Sequence, residues 1–172
     1  PTVAELLESS ASRNQACTAM QMKAEDGQYR GVTYGELWEK AGNLASYLVN
    51  LGVKPGDRVA IQGENRPEWG LAWIAAMRTG AVIVPLDAML GAQDASFMLD
   101  HSGISVLFAS RNIFNKTWKD NPDSFDKSGH IIVFDPVESS NPRIRCLDDC
   151  IAGGARSGVR LPPLPRPDAP LE

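Results

Sequence analysis

Apolar residues recur along this chain in two rhythms, one of three to four residues and one of two. From the start they fall at helical spacing as Val3, Leu6, Leu7 and Ala11, which predicts a helix over 2–14. Thr2 and Glu5 stand three apart ahead of that stripe, the pattern in which a hydroxyl and a carboxylate cap each other's backbone N–H groups. Met20 and Met22 then alternate with polar neighbours. That rhythm predicts a half-buried strand over 19–24, paired with another over 28–32 across the turn Glu25-Asp26-Gly27. A second capping pair, Thr33 and Glu36, opens a helix whose Leu37, Ala41, Leu44, Ala45 and Leu48 share one face. Gly52 lies just past its end, where a left-handed cap is expected.

From here strands and helices alternate. Strands are predicted over 58–62, 81–85, 104–109 and 130–134, with helices over 65–79 and 92–101 between them and Gly80 and Gly103 as stops. Ser110 stands where it caps another short helix. This alternation argues for an α/β fold: a largely parallel sheet flanked by helices on both faces. The run Ala81-Val82-Ile83-Val84 reads as a strand covered on both sides. After Phe134 the regularity fades. Residues 146–152 read as one helical turn or two, and 153–158 and 161–170 as Gly- and Pro-rich chain. The expected organisation is an α/β unit over 1–145 and a linker over 146–172 leading to a downstream part.

Composition narrows the function classes. The chain has 172 residues, 43% hydrophobic and 22% charged, and a net charge of -4, normal for a soluble globular protein. Nucleic acid is not expected as a partner, since phosphate neutralisation needs clustered Lys and Arg. Cys17, Cys146 and Cys150 make an odd count, and no basic-then-apolar leader opens the chain. A reducing, cytoplasmic setting with free thiols follows as the expectation, with no metal site.

Candidate chemistry is sparse. The only histidines, His101 and His130, lack a nucleophile-elbow signature beside them and read as structural. Gly153 to Gly158 has the glycine spacing of a phosphate loop, but Val159-Arg160 stand where Lys and Ser or Thr are needed. Asp148-Asp149 read as a solvated face. Trp69, Trp73 and Met77, four apart, read as core. In an open parallel sheet, ligands gather beyond the carboxyl ends of the strands, which singles out loops 63–66, 86–91 and 110–112. Arg111, beside the helix start at Ser110, could hold a phosphate by charge and free N–H groups together.

Three stretches together say more. Val32-Thr33-Tyr34-Gly35-Glu36-Leu37, Gly52-Val53-Lys54-Pro55-Gly56-Asp57-Arg58-Val59-Ala60 and Met77-Arg78-Thr79-Gly80-Ala81-Val82-Ile83-Val84-Pro85-Leu86-Asp87 resemble, in order, opening motifs of the adenylate-forming (AMP-binding) superfamily. The resemblance covers most of residues 1–134. Asn65-Arg66-Pro67-Glu68-Trp69 looks most like the long-chain fatty-acid-CoA ligases. The alternatives are an aryl-CoA ligase, a peptide-synthetase adenylation domain, or a free-standing α/β binding module without catalysis. The resemblance implies the N-terminal part of an enzyme that uses ATP, Mg²⁺ and CoA to convert a fatty acid into its acyl-CoA through an acyl-adenylate. The family's Ser/Thr/Gly-rich ATP loop, metal-binding carboxylate and catalytic Lys have no counterpart here, so no catalytic residue is expected in the chain, which alone should be inactive. It also implies that Asp87 and Ala88 approach the pantetheine channel of CoA and that Arg111 meets its nucleotide. Peripheral membrane contact of the parent enzyme and self-association of the fragment complete the expectations.

Overall fold

The computed structural model describes residues 2–24, 26–120 and 129–163. Helix α1 (Val3–Arg13) and helix α2 (Tyr34–Asn50) both open on the capping boxes read from the sequence. In the first, the Glu5 N–H donates to Thr2 Oγ1 at 3.2 Å and the Thr2 N–H to the Glu5 carboxylate at 2.8 Å. In the second, the corresponding bonds between Thr33 and Glu36 are 3.3 and 2.9 Å. Between the helices, β1 (Thr18–Lys23) and β2 (Tyr29–Thr33) form an antiparallel hairpin. Of the turn expected at its tip, Glu25 lies outside the described residues.

The main sheet contains β3 (Arg58–Gln62), β4 (Val82–Leu86), β5 (Ile104–Ala109), β6 (His130–Val133) and β7 (Ile144–Cys146). Its order is β4-β3-β5-β6-β7 and every pairing is parallel. Helices α3 (Pro67–Arg78) and α4 (Ala92–Ser102) make the first crossovers. A short α5 (Arg111–Ile113) runs into one π-helical turn over Phe114–Trp118, and α6 (Leu147–Ser157) follows β7. Alternation along β3 sorts the core into two layers. Val59 and Ile61 pack with residues of α2, α3 and α6, whereas Ala60 packs with Ala95 and Leu99 of α4 and with Trp118. Helices therefore cover both faces, as the alternating pattern predicts.

Two readings are corrected. The 81–85 strand is not buried on both sides. It is β4, an edge strand, with Val82 42% exposed and only Leu86 buried. The Val82 N–H donates to the Asp57 carbonyl at 2.8 Å, so Val82, Val84 and Leu86 turn their backbone groups toward β3. Ile83 and Pro85 turn theirs outward, and Pro85 has no N–H to offer, which blunts the edge. The other correction concerns the C-terminal stretch. In place of one or two turns followed by a Gly-rich linker, α6 continues through Gly153 and Gly154 to Ser157, where Gly158 takes a left-handed cap at φ 64°. The reason is packing. Gly154 lies so close to α2 that a Cβ there would overlap the Asn43 carbonyl, and Gly153 seats against the Tyr47 ring. Contact with α2 outweighs the low helix propensity of two glycines. Residues 164–172 of the expected linker lie outside the described residues.

Candidate functional site at the carboxyl edge of the sheet

The first strand of the sheet lies between the second and the third. The order in which strands are added therefore reverses between β3 and β5, the crevice where open α/β sheets place ligands. Gln62 ends β3 with no exposed surface. Its Nε2 donates to the Asp87 carbonyl after β4, and its Oε1 accepts from Trp118 Nε1, each at 3.1 Å. One buried amide thus ties together the loops after β4 and β5. Gly63 follows, pressed so close to Ser110 and Phe134 that a Cβ would come within 2.9 Å of the Phe134 ring.

Asp135, just beyond β6, organises the next layer. It accepts from Arg66 Nη1 at 3.0 and 3.1 Å and from the Arg111 N–H at 3.1 Å. Arg66 also donates from Nε to Glu68 at 2.7 Å, and the Glu68 hydrogen bond, against the opposing effect of burial, holds its guanidinium above the usual Arg range. Glu64 is pushed up by burial but held below the usual carboxylate range by hydrogen bonds from Ser110, its own backbone and Asn112. Arg66 is thereby committed to structure. Arg111 is not: its Nη2 donates to the Pro136 carbonyl at 2.7 Å, and it forms no ion pair among the described residues.

Arg111 borders a cleft of about 420 Å³ one strand beyond the reversal, walled by Phe114, Lys119, Val133, Ser139 and Ile144, with Glu138 also on its lining. Its lining thus mixes two cations, one acid and neutral polar groups with apolar side chains. Arg111 and Lys119 supply the kind of charged donors that phosphate or carboxylate oxygens accept from. A second groove, of about 360 Å³, lies between the hairpin and α2, α3 and α6. There Arg30 is already paired with Asp26 at 2.8 Å.

The three residues singled out from the sequence all stand on this edge. Asp87 is exposed and Ala88 half-buried in the loop after β4, and Arg111 is exposed after β5. They are not brought into one cleft. With β3 between them, the two loops are separated by two strand spacings, about 10 Å. The expected use of free N–H groups at the start of α5 is corrected: the Arg111 N–H is taken by Asp135, and α5 is only three residues long. Lys119 and Asp135 escaped sequence reasoning. Asp135 follows a strand end, which could have flagged it, but nothing local marks a Lys at the end of a π turn.

His101 is exposed at the end of α4 and His130 half-buried at the start of β6, the latter held below the usual imidazole range by burial and by Arg145. Asp148 and Asp149 are exposed on α6. Among the described residues, no helix is long and apolar enough to cross a membrane.

The family model of the AMP-binding enzyme matches residues 7–157. A fatty acyl-CoA synthetase A of Dictyostelium discoideum is 44% identical over 81 residues, which is 47% of this chain and 12% of the relative. A crotonobetaine/carnitine–CoA ligase of Salmonella paratyphi B is 29% identical over 116 residues, 67% of this chain and 22% of the relative. The adenylation domain of a carboxylate reductase from Mycobacterium chelonae superposes with a TM-score of 0.76 at 22% identity, over 98% of this chain and 30% of that one. The matches thus span about an eighth to a fifth of the curated relatives' length.

Proposed function

Because this chain belongs to the AMP-binding enzyme family, we propose that it is the opening part of a longer acid–thiol ligase that makes fatty acyl-CoA. The observation that carries this reading is the 44% identity to a fatty acyl-CoA synthetase over 81 residues. In the proposed reaction a fatty-acid carboxylate oxygen attacks the α-phosphorus of ATP, helped by Mg²⁺, and pyrophosphate leaves. The thiolate of CoA then attacks the acyl carbon, and AMP leaves. Groups that stabilise charge during the first step belong to the downstream part. The share of this chain is the thiol substrate: Arg111 and Lys119 hold phosphates of the CoA nucleotide, and Asp87 and Ala88 border its pantetheine arm.

The test uses the longer enzyme. Arg111→Ala and Lys119→Ala should each raise KM for CoA about tenfold, the worth of one charge-assisted hydrogen bond. Carboxylate-dependent exchange between ATP and pyrophosphate should not change. An unchanged KM for CoA would remove the cleft from the mechanism. A wild-type enzyme that activates aryl acids or amino acids, and no fatty acid, would assign the chain to another branch of the family.

A further inference from the structure

The outer face of α4 carries Asp94, Phe97, Met98 and His101 at helical spacing, and all four are exposed, while Ala95 and Leu99 on the opposite face are buried. Phe97 is 61% and Met98 40% exposed, and Met89, just before the helix, is 82% exposed. Val82 lies on the same sheet face and adds a further exposed apolar group. Half of the exposed large apolar side chains among the described residues therefore fall between Val82 and Met98. Part of the stripe is already ordered: the His101 ring lies 4.1 Å from that of Phe97, and its Nδ1 reaches the Phe97 carbonyl at 3.1 Å, so these two side chains have less freedom to lose on contact.

The order of residues in the stripe is acid, aromatic, thioether, base. Turned end for end, it complements itself. If two such helices lie antiparallel about a two-fold axis between Phe97 and Met98, Phe97 meets the Met98 of a second copy and Asp94 meets its His101. A surface that matches its own reverse is what a two-fold contact requires, and an arbitrary partner does not. We propose that α4 is the contact through which two copies of this chain associate. The patch is small, so the association is weak, of the class that buries less than about 1,200 Å². This inference does not rest on the enzymatic reading.

Sedimentation of the 172-residue chain tests it. Dimer should appear as concentration rises from about 1 to about 300 µM, the range a small interface occupies. Phe97→Glu and Asp94→Lys should each weaken association about tenfold, as expected when an apolar contact gains a charge or the Asp–His contact loses its acceptor. The combined Asp94→Lys, His101→Asp variant should recover most of that loss, because a Lys–Asp pair takes the place of the Asp–His contact. Since all three side chains are exposed, circular dichroism of the variants should match the wild type. A chain that stays monomeric throughout, or a dimer indifferent to Phe97→Glu and Asp94→Lys, would overturn the proposal.

Discussion

At the scale of single residues, the contact between α2 and α6 sets the response to alkali. Burial pushes the Cys150 thiol up to about 12 and the Tyr47 phenol beside it to about 12. In the unfolded chain the thiol ionises near 9 and the phenol near 10. Between about pH 9 and 12 the unfolded state sheds protons that the folded state keeps, so stability falls as pH rises through that window. Urea midpoints should decline from pH 8.5 to 11, and the Tyr47→Phe, Cys150→Ala pair should flatten the decline. A wild-type midpoint constant above pH 9 would refute the account. The same burial keeps Cys150 a thiol at pH 8, so a disulfide reagent should label exposed Cys17 first and Cys150 only on unfolding. A count of cysteines could anticipate free thiols but not this pairing, because Tyr47 and Cys150 meet only once two helices far apart in sequence are packed.

At the scale of elements, what was legible depended on how local the cause is. Both capping boxes were visible because they involve residues three apart, and Thr33→Ala should cost about 1 kcal/mol in chemical denaturation. Strand β7, three residues long, is too short to show a rhythm of two. Strand β4 read as buried because β-branched runs look alike at a centre and at an edge. Helix α6 was cut short because Gly153 and Gly154 are poor helix formers, and only the surface of α2 shows why glycine is wanted. Gly154→Ala keeps better helix propensity but drives a methyl into the Asn43 carbonyl. It should destabilise by about 3 kcal/mol, at the upper end for overpacking. A neutral or stabilising effect in a urea titration would mean that α6 does not lie so close.

At the scale of the whole molecule, alternation in the sequence predicted the parallel sheet and its two helical layers, and it pointed to the loops that form the candidate site. It could not give strand order, which is why Arg111 was visible and its company, Lys119 and Asp135, was not. On the proposed reading, the edge bearing Asp87, Ala88 and Arg111 serves CoA, and the groups that handle the phosphates of ATP belong to the downstream part. The chain alone should therefore catalyse no fatty-acid-dependent exchange of pyrophosphate into ATP. Measurable exchange at micromolar enzyme would show that it carries catalytic groups unrecognised in its loops.

The close seat of α6 on α2 also sets a clock during biosynthesis. Gly154 leaves the ribosome about 110 residues after Asn43, which at roughly 5–20 residues per second is a wait of roughly 5–20 s. Throughout that interval the flank of α2 that carries Asn43 and Tyr47 waits for the helix that will cover it. Slower translation lengthens that wait without altering one atom of the finished protein.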